Sequence, residues 1–330
     1  MRINTKTVCS VIGLMACCVV FMPGCQSPAS HTTQAEQAGS TGKQLRLIFI
    51  APVIHEEFFV PVRKGMEDAA RLMDVEATFT GTEGVDTKAQ AAMVTQAVKD
   101  GYDGIAVDII HEQDFDKVVA DALKAGIPVV AFNTDDTTPN PRLSTVSQDL
   151  YQAGRTVATR AIDFIPEGTD VLITKHDEGI TALDERARGI QDVLKKHDIK
   201  WKVVVTTPHP HKAEEIIAET LKNNPRIKTV LATGQADTEG AGLALEKELA
   251  GKGYTAAGFD LSLNILRLID TGVIRFTIDQ QPYSQGFYPV IQLTLLLRYG
   301  IQPADIDAGA TVITKAEARS VMNLKKQNYR

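Results

Sequence analysis

Short apolar runs rich in Val and Ile recur along the chain between longer stretches whose apolar residues fall three or four positions apart. "LRLIFIA" precedes "FVPVRKGMEDAARLM", "EATFTG" precedes "TKAQAAMVTQAVKDG", "DGIAVDII" precedes "FDKVVADALKAG", and this half closes on "IPVVAFN". The second half repeats the plan: "TDVLITK" then "ALDERARGIQDVLKKH", "KWKVVVTT" then "KAEEIIAETLKNNP", "IKTVLATG" then "DTEGAGLALEKELAG", "YTAAGFD" then "LNILRLIDTG". "VIRFTID", the helical "PYSQGFYPVIQLTLLLRYG" and a last strand "ATVITK" follow. A continuous apolar run fits a strand buried on both faces, and the 3.6-residue period fits a helix packed on it. Their alternation predicts α/β architecture: two doubly wound parallel-sheet lobes, related by element order and not by a sequence repeat.

Open parallel sheets bind ligands at the carboxyl ends of their strands, so those ends decide what two facing lobes can hold. The first strand empties into His55, Glu56, Glu57, Phe58 and Phe59, the third into Asp108, and the fourth into Asn133, Thr134, Asp135 and Asp136. In the second half the ends carry Lys175, His176 and Asp177, then His209, Pro210 and His211, then Gly234, Gln235 and Asp237, then Asp260, and finally Asp279, Gln280 and Gln281. Turn geometry alone selects Gly, Pro, Asn or Asp, not acids set against aromatic rings. A sugar or polyol explains the combination, since it offers hydroxyls that donate and accept and C–H faces that lie on rings. Phe58 or Phe59 would cover such a ring while His55 and Glu56 hold its hydroxyls; packing under the first helix is the competing use of the two rings.

A chain of 330 residues exceeds the usual single core, which agrees with two domains. The net charge of -6, with no Lys or Arg cluster, argues against nucleic acid. Cys9, Cys17, Cys18 and Cys25 are the only cysteines. They fall in a segment with a basic start (Arg2, Lys6) and an apolar run from Thr7 to Met22, shorter than the roughly 20 residues of a membrane span. Residues 1–24 therefore read as a signal peptide. Gly24-Cys25 resembles the end of a bacterial lipobox, with Met22 and Pro23 departing from the usual pattern, so Cys25 is expected to carry lipid. The stretch to Lys43, "QSPASHTTQAEQAGSTGK", is too poor in apolar residues to bury a core and reads as a tether. A periplasmic or otherwise extracytoplasmic, lipid-anchored protein follows. No G-x-S-x-G, no G-x-G-x-x-G after a strand and no H-E-x-x-H is present, and "PHPH" around His209 and His211 is a polar loop more readily than a metal site. Neither enzyme, cofactor nor metal is expected.

The order and spacing of "FFVPVRKGMEDAA", "GYDGIAV", "AGIPVVAFN", "SQDLYQAGR", "AAGFD" and "IRFTIDQQPYSQGFYPV" resemble the periplasmic sugar-binding proteins of ATP-driven importers, of the ribose-binding-protein type, over about Leu45 to Thr314. The resemblance implies the periplasmic binding protein type 1 fold, with crossings near Gln148-Asp149, Gln280-Gln281 and Ala308-Gly309 that form a three-segment hinge. One lobe would span 44–148 plus 281–308, the other 149–280 plus 309–330. It implies a monomer that closes on its ligand and presents itself to a membrane permease, with no covalent chemistry. Phe58 and Phe59 match the family's aromatic pair, Asn133 stands for its usual Asp with Asp135 behind it, and Asp260 matches the Asp of "GFD". Gln235 or Gly234 falls where the family often has Asn or Asp, His209 lies near a further aromatic contact, and Gln280 matches the Gln at the last crossing. Asp184 falls where the ribose binder has an Arg. With that Arg lost and Glu56 gained, the cleft would be more acidic than a ribose site, which keeps a cationic polyol, an amino sugar, inositol or a nucleoside open beside ordinary sugars. Sugar-responsive repressors share the fold but carry a DNA-binding segment where this chain has a signal and tether. A receptor that hands its closed form to a membrane sensor is the alternative to transport.

Overall fold

The computed structural model describes residues 43–135 and 140–330. The signal, the tether and Cys25 lie outside the described residues. Residues 43–330 form one unit built on two six-stranded sheets.

In the first sheet β1 (Arg46–Ala51), β2 (Glu76–Gly81), β3 (Gly104–Val107), β4 (Val129–Asn133), β5 (Thr145–Ser147) and β11 (Ile306–Asp307) lie in the order β11-β5-β4-β3-β1-β2. Every pairing is parallel. α1 (Phe59–Met73) and α9 (Pro282–Tyr299) cover one face, and α2 (Thr87–Lys99) and α3 (Glu112–Lys124) cover the other. β1, β3 and β4 are almost wholly buried, as strands roofed on both faces must be.

The second sheet has the order β12-β10-β9-β8-β6-β7. Its strands are β6 (Asp170–Lys175), β7 (Trp201–Val205), β8 (Ile227–Ala232), β9 (Thr255–Phe259), β10 (Ile274–Asp279) and β12 (Thr311–Ile313). α4 (Leu150–Ala161) and α5 (Thr181–Lys196) pack on one face, and α6 (Pro210–Asn223), α7 (Gln235–Lys247) and α8 (Leu263–Asp270) on the other. β12, the "TVI" of the predicted last strand, runs antiparallel to β10. It takes the edge of the second sheet beside β10 after the chain has returned from β11 in the first sheet.

The chain passes between the sheets after β5, after β10 and after β11, and these passages are bonded to one another. Ala308 N donates to Ser147 O at 2.8 Å. Gln281 Nε2 donates to Ala308 O and Gln148 Nε2 to Gly309 O, both at 2.8 Å. Gln281 has φ 53 and its N–H donates to Asp279 Oδ1, which turns the chain sharply into α9.

Besides a short 3-10 turn at Ile162–Phe164, four described elements were not read from the pattern: β5, β11, α4 and α10 (Lys315–Lys325). β5 and β11 are three and two residues long and too short to show a period. α10 had a legible start in Thr314 and Glu317, whose side chains form a reciprocal capping box.

Candidate ligand-binding site

A cavity of about 760 Å³ opens where the strand tips of the two sheets meet, within the roughly 300–1,000 Å³ of small-molecule sites. The first lobe brings the β1–α1 turn (His55, Glu56, Glu57, Phe58), Phe59 at the start of α1, Ile110 after β3, Asn133 at the end of β4 and Thr134 after it. The second brings His176 and Asp177 after β6, Arg186 on α5, His209 before α6, Gly234 and Gln235 at the start of α7, Asp260 after β9 and Gln280 after β10. At one rim the lobes touch: Thr181 Oγ1 donates to Ile110 O at 3.1 Å.

The aromatic pair is split between two tasks. Phe59, 2% exposed, packs with Phe79 and Phe132 in the core under α1. Phe58, at the helix cap, stands edge-on to it at 5.1 Å and keeps a partly open ring toward the cavity. Hydrophobic packing thus holds most of Phe59, which still lines the cavity beside Phe58.

Asp108, Asp135 and Asp184 are not among the residues that line the cavity. Asp108 is fully buried at the tip of β3 and accepts from Asn133 Nδ2 at 2.7 Å and Thr134 N at 3.1 Å. It aims Asn133, whose φ of 61 is itself unusual for a non-glycine residue. Burial pushes the Asp108 carboxyl up to about 8. Asp135 is engaged by Arg142, whose Nε lies 2.7 and 2.9 Å from the two carboxylate oxygens and whose Nη2 also donates to Oδ2. Asp184 is half exposed and pairs with Lys175 at 2.5 Å.

The expected loss of an arginine from the cleft is corrected by Arg186. Two residues along α5 from Asp184 is about 200° around the helix, so the two side chains take opposite faces. Arg186, 2% exposed, donates to Gln148 Oε1 from Nη2 at 2.9 Å and Nε at 3.2 Å, and to Thr233 O from Nη1 at 2.9 Å. Its guanidinium carbon lies 4.2 Å from the centroid of the Phe259 ring. Gly154 of α4 sits against the Arg186 carbonyl, where a Cβ would collide with backbone. Through Gln148 the guanidinium is tied to the first hinge passage. Burial lowers the Arg186 pKa, while Asp260 and Asp237 oppose that shift.

Asp260, 6% exposed with φ 69, accepts from Gln280 Nε2 at 2.6 Å. Gln280 is itself held by Gln285 Nε2, which donates to its backbone oxygen at 2.9 Å. Burial raises the Asp260 pKa, and Arg186 and Gln280 pull it back. Across the cavity Glu56 is pushed up to about 7, first by burial and then by the charges of Asp260 and Asp177. Glu56 therefore holds a proton up to about pH 7 and so can donate a hydrogen bond as well as accept one.

His176 is kept neutral by burial, its pKa lowered to about 4, and its ring lies against Gly234, where a Cβ would meet it at 2.6 Å. Its Nδ1 has no hydrogen-bond partner among the described residues. Asp237 is spent on structure: fully buried, it accepts from Thr174 Oγ1, Thr233 N and Gly234 N at 2.7–3.0 Å and so fixes the loop that carries Gln235. His55 and His209 stand at the exposed mouth, His55 at 3.4 Å from Glu83. Among the described residues no His, Cys, Asp and Glu cluster has the geometry to hold a metal ion, and no helix is long and apolar enough to cross a membrane.

Residues 47–301 match the periplasmic binding protein domain family. The xylose/arabinose-binding protein XylF of Sulfolobus acidocaldarius is 34% identical over 287 residues, covering 82% of this chain and 71% of that protein. A xylitol-binding protein of Mycolicibacterium smegmatis is 28% identical over 62% of this chain and 58% of its own length. Among solved structures, a carbohydrate transporter from Acidothermus cellulolyticus in complex with myo-inositol superposes with a TM-score of 0.79 at 25% identity, covering 87% of this chain and all of that one. A Legionella pneumophila periplasmic sugar-binding protein superposes at 0.76 and 22% identity, over 81% of this chain and all of its own.

Proposed function

Because the chain belongs to the periplasmic binding protein family, we propose that it captures a sugar or sugar-like polyol, a five-carbon one first, between its two lobes. The observation that carries this reading is the convergence of Phe58 and Asn133 from one lobe with Arg186, Asp260 and Gln280 from the other on one cavity. An aromatic edge with paired acceptors and donors suits a ring or short chain of hydroxyls. Asp260 and Gln280 would take adjacent hydroxyls, Arg186 an oxygen acceptor, and protonated Glu56 and neutral His176 further hydroxyls, with Phe58 under the C–H face. Gln235 and His209 would complete the mouth. The binding of xylose, arabinose and xylitol by the named relatives supports a pentose-sized ligand. The acidic surroundings of Glu56 keep an amino sugar as the main variant of the same reading.

Delivery to a permease of an ATP-driven importer, and tethering through a lipid on Cys25, are parts of the same proposal and rest on the family and on the Gly24-Cys25 motif. The binding claim is tested by a thermal-shift screen of pentoses, pentitols, hexoses, inositols, amino sugars and nucleosides, since a ligand held only by the folded state raises the melting temperature. A clear rise with a pentose or pentitol is expected. A screen in which only nucleosides stabilise the protein, or nothing does, overturns it.

A further inference from the structure

Residues 325–330 leave the second lobe and run onto the first. α10 is seated on the second lobe: Val321 packs with Leu261, Leu266 and Ile313, and Arg319 pairs with Asp270 at 2.9 Å. From its last residue onward Lys325 and Tyr329 make contacts on the other lobe, while Arg330 stays with the second. Lys325, only 7% exposed, places Nζ 3.4 Å from Glu57 in the turn before α1. The Tyr329 ring lies 5.4 Å from that of Tyr283 on α9, and Lys64 of α1 stands 5.1 Å from the centre of the Tyr329 ring. Tyr283 is anchored in turn by its hydroxyl, which donates to Asp68 at 3.0 Å. Arg330 pairs at 2.5 Å with Asp279, at the end of β10 where the chain passes between lobes.

This segment also forms part of the cleft's rear wall. A gap of about 10 Å³, roughly one water, separates Phe58, Gln235 and Asp260 from Lys325 and Arg330. The two cations lie behind two buried carboxylates: Lys325 acts on Asp260, and both Lys325 and Arg330 act on Asp279, in each case opposing the upward push of burial. A buried ammonium is costly unless compensated. Asp260 and Asp279 belong to the same lobe as α10, whereas Glu57 belongs to the other, so the Lys325–Glu57 pair forms only while the lobes are together.

We infer that residues 325–330 are a strap that joins the lobes behind the cleft and favours the closed arrangement even without ligand. Rotation of one lobe against the other has to break Lys325–Glu57 and Tyr329–Tyr283, because the strap is rooted on α8 and β12 while its contacts lie on α1 and α9. The strap differs from the three hinge passages, which are continuous backbone and persist in any open form.

The test is the distance between spin labels at Lys88→Cys and Glu178→Cys, exposed positions in the first and second lobes, read by pulsed paramagnetic resonance without ligand, with the four native cysteines changed to Ser throughout. Lys325→Met and the pair Tyr329→Ala with Arg330→Gln should each raise the long-distance fraction, roughly doubling it or more. Arg319→Ala, on the same helix but paired within its own lobe, should leave the distribution unchanged. Distributions that superimpose on the parent for both strap variants, or an equal opening by Arg319→Ala, overturn the inference. Circular dichroism of each variant separates opening from unfolding.

Discussion

The two walls of the cleft are built on opposite plans. The first lobe's wall is shape: an aromatic edge at Phe58 backed by the Phe49, Phe59, Phe79 and Phe132 core, with Asn133 held by a buried aspartate that does not line the cavity. The second lobe's wall is charge: Arg186 and Asp260 set among Gln148, Thr233, Gln280 and the Phe259 face, each fixed by hydrogen bonds to elements of the sheet or hinge. A surface that fits a ring and a surface that grips hydroxyls are each weak alone. In the structure the two face one cavity, and Gln148 at the first hinge passage bonds both Arg186 and Gly309.

The difference between the walls is sharpened most by breaking each in turn. Arg186→Ala removes a buried guanidinium and leaves Gln148 Oε1 and the Thr233 carbonyl without their donor. It should lower unfolding free energy by about 3 kcal/mol, read by urea denaturation, and abolish ligand-induced stabilisation. Phe58→Ala should leave the core nearly intact, since Phe59 carries the packing, and weaken binding by about tenfold, some 1.4 kcal/mol. If Phe58→Ala costs more stability than Arg186→Ala, the division of labour between the walls is wrong.

A smaller effect comes from Glu56. The folded chain holds its proton up to about pH 7, whereas the unfolded chain releases it near the ordinary 4.5. Between those values the folded state binds more protons, so the contribution of Glu56 to stability is complete below about 4.5 and is lost as pH rises through 7. Denaturation midpoints should therefore fall with pH across that window, and Glu56→Gln should flatten the part of the slope due to this group. An identical slope in the variant would place the proton elsewhere.

Much of the fold was legible because strands roofed on both faces must be apolar throughout and their covering helices must be amphipathic, so the order of periods dictates a parallel α/β plan. Position at a strand tip likewise located Glu56, Phe58, Asn133, Asp260 and Gln280 in the cavity lining. Direction within a tip was not legible. Asp135 follows Asn133 by two residues and is taken by Arg142, a partner that no helix or strand period indicates. Asp108 ends a strand but is swallowed by burial to support its neighbour. Arg186 was missed in favour of Asp184, although a signal existed: it falls on the stripe of Leu183, Ala187, Ile190 and Leu194, all buried. A charged residue on the apolar stripe of a helix needs a buried partner, and that requirement marks Arg186 from sequence alone.

Closure on a hydroxyl-rich ligand, gripped at the tip of β9, is tested most directly by calorimetric titration of D-xylose, or of the pentose or pentitol that stabilises the protein best, into the intact chain and into Asp260→Ala. Single-site binding in the first and loss of at least roughly 100-fold in affinity in the second is the predicted result if Asp260 is the acceptor that takes hydroxyls directly, as proposed. Equal affinity in the two proteins would contradict it.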